Sequence, residues 1–179
     1  MEKRERELLS SLTRALDDHD LGQTRRVLGE IYVDYRFLLV SVASGRLTNR
    51  QDAFDAAEEA FLRFMNAVER NRPKNLKAYL CAIADHVALE MAESKKEEQV
   101  EEESAFGFVL SDPAISQDLK NALDNLTQEQ KRAVVYRAVL GLSFHEIGKL
   151  LGISGIAADS LYRRAIKKMK SELGEAYED

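Results

Sequence analysis

A run of basic residues near the carboxyl end of the sequence has the composition of a phosphate-binding surface. From Leu161 to Lys170 the chain carries five cations and no acidic residue: Arg163, Arg164, Lys167, Lys168 and Lys170. Cations on one helix supply phosphate contacts, which are the main sequence-independent part of DNA affinity. The run would equally suit a solvated helix end, where cations complement the helix dipole. The residues before it decide between these two interpretations.

Two short helices joined by a glycine turn are predicted over residues 141–169. Gly141 suits the left-handed position that follows a helix, and Gly152 ends the first helix of the pair. Ser143 with Glu146 forms a capping box at the start of that helix, and Ser154 can cap the second. The predicted inward positions are Ile147, Leu150 and Leu151 in the first helix, and Ala158, Leu161, Ala165 and Met169 in the second. This is the helix-turn-helix pattern, whose second helix lies in a DNA groove, so we favour DNA binding.

An acidic stripe is predicted in the first half of the chain. Asp52, Asp55 and Glu59 fall on one exposed face at helical spacing, and Glu58 lies close to it. Solvated acidic faces are common, so the spacing alone assigns no function.

Composition narrows the class of protein. The 179 residues are 45% hydrophobic and 32% charged, and the net charge of −5 requires any DNA-binding surface to be local. Cys81 is the only cysteine, which excludes an internal disulfide, and the three histidines lie far apart, so neither a metal site nor a cofactor is expected. There is no apolar run of about 20 residues and no apolar signal-peptide region at the amino end. We therefore expect a cytoplasmic protein without a membrane segment.

Helical periodicity predicts an all-α protein with two small domains. Four helices are expected in the first domain, over residues 3–18, 21–44, 51–70 and 75–96. A glutamate-rich stretch and a segment with Gly107 and Pro113 indicate a linker over residues 97–116. The second domain, residues 117–179, opens with a short helix, and a capping box at Thr127 and Gln130 then begins a helix that reaches about Leu140. The first domain is accordingly assigned to residues 1–96.

Taken together, the two halves resemble a bacterial sigma factor of the extracytoplasmic-function group, in the sigma-70 family. The resemblance covers roughly residues 21–96 and 117–173. It is carried by DAFDAAEEAFLRFM at residues 52–65, by Tyr79, Leu80, Ile83 and Ala84 within residues 76–91, and by the helix-turn-helix region from residue 126 onward.

The resemblance implies a binding protein with no catalytic activity, which directs core RNA polymerase to promoter DNA. In the family, the helix that matches residues 52–65 docks on a basic coiled coil of the polymerase clamp. This implies polymerase contacts through Asp52, Asp55, Glu58, Glu59 and Arg63. The second domain is expected to bind upstream promoter DNA through Ser154, Asp159, Ser160, Arg163, Arg164, Lys167 and Lys168. An anti-sigma factor is a further partner that the family implies.

The chain departs from the family pattern after Ile83. Basic residues that touch the opened promoter strand are usual there, whereas this chain has Asp85, Glu90 and Glu93. An acidic face at this position would repel phosphate. It favours an alternative, a sigma mimic that sequesters an anti-sigma factor and needs no DNA contact. A plain helix-turn-helix transcription regulator is a second alternative, which would not need the motif at residues 52–65.

Residues 157–161 also depart from the family. The side chain of Asp159 could accept a hydrogen bond from cytosine N4, which is a recognised form of base readout.

Overall fold

The computed structural model describes residues 2–94 and 116–176, in which all regular structure is helical. The chain divides into two compact units, Met1–Val100 and Glu101–Asp179. The predicted all-α, two-domain fold is thus confirmed. The predicted linker lies outside the described residues except for Ser116, so its limits stay a prediction.

Residues 2–94 of the first unit form four helices, and side-chain caps set the starts of two of them. They are α1 (Glu2–Asp17), α2 (Leu21–Ala43), α3 (Arg50–Ala67) and α4 (Leu76–Ser94). The Asp20 carboxylate accepts from Gln23 N at 2.9 Å, and the Asn49 side chain accepts from Gln51 N at 2.7 Å. These bonds satisfy backbone donors that have no partner inside the helix, and so they fix where α2 and α3 begin. Helix α3 ends three residues before the predicted residue 70, since the predicted limit rested on Pro73 alone.

All four helices contribute to the core of the first unit, and Leu8 and Leu12 are buried from α1. Ile31, Leu39, Phe64 and Leu80 are completely buried there. The rings of Tyr32 and Phe61 lie 5.0 Å apart, which ties α2 to α3. Cys81 is buried in this core, as expected for a cysteine that packs as a small apolar side chain.

Residues 116–176 of the second unit form four α-helices and one π-helical turn. They are α5 (Gln117–Asp124), α6 (Gln128–Val134), α7 (Phe144–Leu151) and α8 (Gly155–Ala176). The predicted helix from Thr127 to about Leu140 is present, but its second half, Val135–Val139, has π-helical geometry. There the Leu140 N–H donates to Val135 O, five residues back, at 3.1 Å. Apolar periodicity cannot distinguish this wider turn from a continuing α-helix.

The core of the second unit is built from the predicted inward faces. Ile147, Ala158 and Ala165 are fully buried and Met169 nearly so. Leu151 and Leu161 are only half-buried, so these two predicted inward positions lie at the edge of the core. Nowhere in residues 2–94 and 116–176 does a helix combine the length and apolarity that crossing a bilayer requires.

Candidate nucleic-acid interface

The predicted turn between α7 and α8 is present, together with its caps. Ser143 Oγ accepts from Glu146 N at 3.3 Å, and Glu146 Oε2 accepts from Ser143 N at 2.7 Å. Gly141 has φ of 62° and Gly152 has φ of 68°, the left-handed conformation that ends each preceding segment. The predicted helix-turn-helix, including the capping box at its start, is therefore confirmed as a structural element.

Gly148 sets how closely the two helices approach, and the sequence analysis missed it. A Cβ atom at this position would lie 2.7 Å from Ile153 O and 3.0 Å from Gly155 N. Real Cβ atoms essentially never come as close as the first of these distances, and the atom in the way is backbone, so the site requires glycine. The sequence signal was a glycine inside an otherwise helical apolar pattern, which often marks close backbone approach.

The amino end of α8 is fixed by a cap and by an aromatic contact. Ser154 Oγ accepts from Ala157 N at 3.1 Å, as predicted. The ring of Tyr162 lies 5.6 Å from that of Phe144 at the start of α7. Because its hydroxyl is used by the cap, Ser154 positions α8 as well as standing at the predicted DNA surface.

The outward face of α8 brings together most of the predicted DNA-binding residues. Ser160, Arg163, Arg164 and Lys167 are all exposed along this one face. The Arg164 Nε–H donates to Ser160 O at 3.3 Å, one turn back in the same helix. The face is therefore a continuous polar and cationic strip, as a phosphate-binding surface requires.

Asp159 and Arg163 form an ion pair at the edge of this strip. Arg163 Nε lies 2.9 Å from Asp159 Oδ1. The hydrogen bond to Asp159 raises the pKa of the Arg163 guanidinium above its usual value. The side chain of Arg163 remains 77% exposed, so the pair holds it in solvent rather than against the protein.

Lys168 points away from this strip. Its ammonium group donates to the backbone carbonyl of Asn125, between α5 and α6. The Asn125 side chain in turn donates to Glu172 Oε2 at 3.2 Å. Lys168 is thus engaged within the second unit, while the other predicted cations of α8 face solvent.

Ile156 lies on the same outward face and was not among the predicted site residues. It is 83% exposed, at the first turn of α8. The spacing of Ile156, Ser160 and Arg163 by four and three residues puts them on one stripe. The spacing of four residues between Ile156 and Ser160 is the sequence signal that could have identified it.

The acidic stripe on α3 is present, and its residues differ in exposure and in hydrogen-bond partner. Asp55 is exposed and accepts from Gln51 Nε2 at 2.9 Å, while Asp52 is half-buried. Glu59 pairs with Arg63 at 2.7 Å, and that hydrogen bond raises the pKa of the Arg63 guanidinium. The stripe along this side of α3 consists of Asp52, Asp55, Glu59 and Arg63.

Glu58 instead borders an open apolar groove of about 450 Å³ between α2 and α3. The groove is also lined by Arg25, Leu28, Tyr32, Phe61, Leu62 and Met65. The predicted acidic group therefore divides into a stripe and a separate groove-edge carboxylate.

The acidic surface expected after Ile83 is smaller than the sequence indicated. Asp85 accepts two hydrogen bonds from Arg46, at 2.6 and 2.7 Å, and its side chain is only 13% exposed. Glu90 pairs with Arg63 at 2.8 Å and lies 3.0 Å from His86 Nε2. Two of the three carboxylates therefore face a cation within the first unit. The sequence could not indicate this, because Arg46 and Asp85 are 39 residues apart.

Within the described residues, no three His, Cys, Asp or Glu side chains are grouped so that they could hold a metal ion.

Comparison with known proteins gives matches in both units. Residues 31–98 match the family described as sigma-70 region 2, and residues 116–169 match the family described as sigma-70, region 4. The chain is similar to the ECF RNA polymerase sigma factor SigE of Mycolicibacterium smegmatis, with 27% identity over 71% of this chain and 54% of that protein. It is similar to the RNA polymerase sigma factor SigV of Bacillus subtilis, with 24% identity over 84% of this chain and 93% of SigV. The chain thus spans about half the length of SigE and nearly all of SigV.

Two solved structures share the fold. The sigma factor RpoE from Bartonella quintana, in complex with the anti-sigma factor NepR, aligns with a TM-score of 0.61 and 17% identity over 82% of this chain and 96% of that one. CnrH, in complex with the cytosolic domain of CnrY, aligns with a TM-score of 0.63 and 20% identity over 96% of this chain and 97% of that one.

Proposed function

Because this chain belongs to the sigma-70 family, in its extracytoplasmic-function group, we propose that it is a sigma factor that directs core RNA polymerase to promoters in the cytoplasm. The activity is one of binding and positioning, and the chain itself catalyses no reaction. The observation that carries the proposal is a helix-turn-helix with an exposed cationic strip, in the same chain as a matching polymerase-binding region. Those two features are what transcription initiation requires of such a protein.

The polymerase-binding surface in this proposal is the acidic side of α3. Asp52, Asp55, Glu59 and Arg63 form its stripe, and Glu58 stands at the edge of the neighbouring groove. A basic partner surface would be attracted to the carboxylates, and complementary charge of this kind sets the association rate and register.

The DNA-binding surface in this proposal is the outward strip of α8. Arg163, Arg164 and Lys167 supply phosphate contacts, which position the helix. Ser160 and Asp159 lie nearer the amino end of α8, the end from which a recognition helix contacts base edges.

An anti-sigma factor is proposed as the regulating partner. The RpoE structure that shares this fold contains the anti-sigma factor NepR. A protein that occupies either proposed surface would prevent this chain from joining polymerase to promoter DNA.

Of the alternatives, a sigma mimic loses much of its support from the internal pairing of Asp85 and Glu90. The acidic surface that motivated a protein without DNA contacts is partly neutralised. A plain helix-turn-helix regulator would not account for the match to region 2 at residues 31–98.

The experiment is in vitro transcription with core polymerase on a library of promoters, paired with capture of core polymerase by the tagged chain. We expect capture of polymerase and transcripts from a subset of promoters that share an upstream sequence. A chain that captures polymerase but yields no transcript, and that binds an anti-sigma protein tightly, would be a mimic instead.

A further inference from the structure

We propose that Ile156 reads the methyl group of a thymine in the upstream promoter element. This inference rests on the proposed function, and it adds a base-reading residue to the phosphate contacts already assigned to α8.

The exposure of Ile156 is the first observation. At 83%, its exposed fraction is larger than that of any other large hydrophobic residue in the described ranges. The next two in the second unit, Val139 and Ile153, are 51% and 39% exposed. Single exposed apolar residues need no special explanation, so exposure by itself assigns no role.

The position of Ile156 on α8 indicates a role in contacting bases. It stands on the first turn of α8 and shares a stripe with Ser160, Arg163 and Lys167. The cations follow it toward the carboxyl end of the helix, where they suit the phosphate backbone. Ile156 lies at the other end of the stripe, and in a helix-turn-helix the amino-terminal residues of the second helix contact base edges.

The local backbone holds this side chain in place. Ser154 caps the helix two residues earlier, through Ala157 N at 3.1 Å. A Cβ atom on Gly155 would lie 3.3 Å from the Cα of His145, so α8 begins directly against α7. Ile156 therefore projects from a packed helix start, and little ordering is needed when it meets DNA.

The aliphatic side chain of Ile156 favours thymine among the four bases. In the major groove each base pair presents a distinct pattern, and the C5 methyl of thymine is its apolar feature. An aliphatic side chain offers no hydrogen bond, so it can prefer a base only through such a group. Burial of the methyl removes apolar surface of both partners from water.

The test replaces thymine by deoxyuridine, one position at a time, in the upstream element of an active promoter. Deoxyuridine keeps every hydrogen-bonding group and lacks only the methyl. Transcription by core polymerase with the intact chain is measured from paired templates at limiting protein. With the parent chain we expect a loss of roughly fourfold at one or two adjacent positions, the value of one buried methyl group.

Ile156→Ala should remove this difference between thymine and deoxyuridine while transcription from the deoxyuridine template persists. Val139→Ala is the matched control, since it shortens an exposed apolar residue of the same unit away from α8, and it should retain the difference. Circular dichroism should report the parent helicity for both variants.

Two results would overturn the inference alone: equal transcription from all thymine and deoxyuridine templates by the parent chain, or an undiminished difference in Ile156→Ala. Absence of any transcript with the parent chain would instead overturn the proposed function, and the inference with it.

Discussion

At the scale of single residues, Arg163 is paired with Asp159, and in the proposed interface a DNA phosphate would have to displace or share this carboxylate. The ion pair with Asp159 is exposed, and exposed pairs of this kind contribute little to stability. A phosphate can therefore compete for the guanidinium. Asp159 lowers the net positive charge of the strip, while Arg163 stays exposed to solvent.

The variant Arg163→Ala/Arg164→Ala should weaken the salt dependence of promoter binding. Loss of two phosphate contacts lowers the log–log salt slope by roughly 1.8. The measurement is binding of the polymerase complex to promoter DNA at several salt concentrations. As a control, Arg26→Ala/Arg70→Ala removes the same charge from exposed positions of the first unit and should leave the slope near that of the parent. A parent-like slope for the α8 variant would remove these arginines from the interface.

Asp159→Ala should raise affinity for DNA of any sequence, because it frees Arg163 and removes a negative charge from the strip. It should also change the preferred upstream sequence, since a groove-facing side chain specifies the base. Selection of bound promoters from a random library measures both effects. Asp118→Ala, a change of the same charge at an exposed position of α5, is the control. An unchanged selected sequence would leave Asp159 without a reading role.

Gly148→Ala should destabilise the second unit by about 1–3 kcal/mol, the usual cost of forcing an atom into a packed site. The added carbon would meet Ile153 O at 2.7 Å, and backbone cannot move aside as a flexible side chain can. Gly174→Ala is the control, because nothing lies within 4 Å of its Cβ position. It should be neutral or stabilising, as alanine is the better helix former. Urea denaturation of the intact chain, followed by helicity, compares the two; equal midpoints would contradict the tight approach.

At the scale of elements, the sequence was informative wherever a local rule acts. Ser143, Thr127 and Ser154 cap their helices as predicted, since a cap is decided by residues three apart. The π-turn at Val135–Val139 was not predictable, because no composition distinguishes it from α-helix. The same limit applies to the division of the acidic group on α3, which depends on how α2 packs beside it.

Ser143→Ala should lower the stability of the second unit by about 1 kcal/mol, the ordinary loss of a helix cap. Ser171→Ala, at an exposed position within α8, is the matched control and should cost nothing. Thermal denaturation of both variants provides the comparison. If Ser143→Ala unfolds at the parent temperature, the capping bond contributes no stability.

The two sides of α3 can be separated by single charge reversals. Asp55→Lys alters the stripe, whereas Glu58→Lys alters the edge of the apolar groove. We expect that the variant with both substitutions is no longer captured by core polymerase. The single substitution that reduces capture more identifies the side of α3 that docks. Glu7→Lys/Glu69→Lys makes the same change in net charge elsewhere on the first unit and should be captured normally. Parent-like capture of Asp55→Lys/Glu58→Lys would make the α3 assignment wrong.

At the scale of the whole molecule, the net charge of −5 lowers the affinity for DNA and the local cationic strip raises it. The free chain should bind DNA weakly, because its net negative charge repels phosphate. Attachment to polymerase should hold the second unit near upstream DNA, and its contacts then act at high effective concentration. The all-α, two-domain organisation was predictable from periodicity, but the pairing of Asp85 with Arg46 needed the folded chain, as it joins distant segments.

Limited proteolysis should cut between residues 97 and 116 and leave two helical fragments. The glutamate run and the Gly107–Pro113 segment there separate two periodic halves. Mass spectrometry of the earliest fragments locates the cut. Primary cleavage within α3 would contradict this division.

The π-turn in the second unit behaves as one extra residue accommodated within a helix. A further residue inserted into Val135–Val139 could not be absorbed in the same way, so everything after it would rotate by about 100° and move about 1.5 Å along the axis. The Leu142 N–H, which donates to Tyr136 O at 2.9 Å, would lose its register. The length of this segment should therefore tolerate less increase than its side chains tolerate change, and insertions there should disable the helix-turn-helix even when every residue of α8 is unchanged.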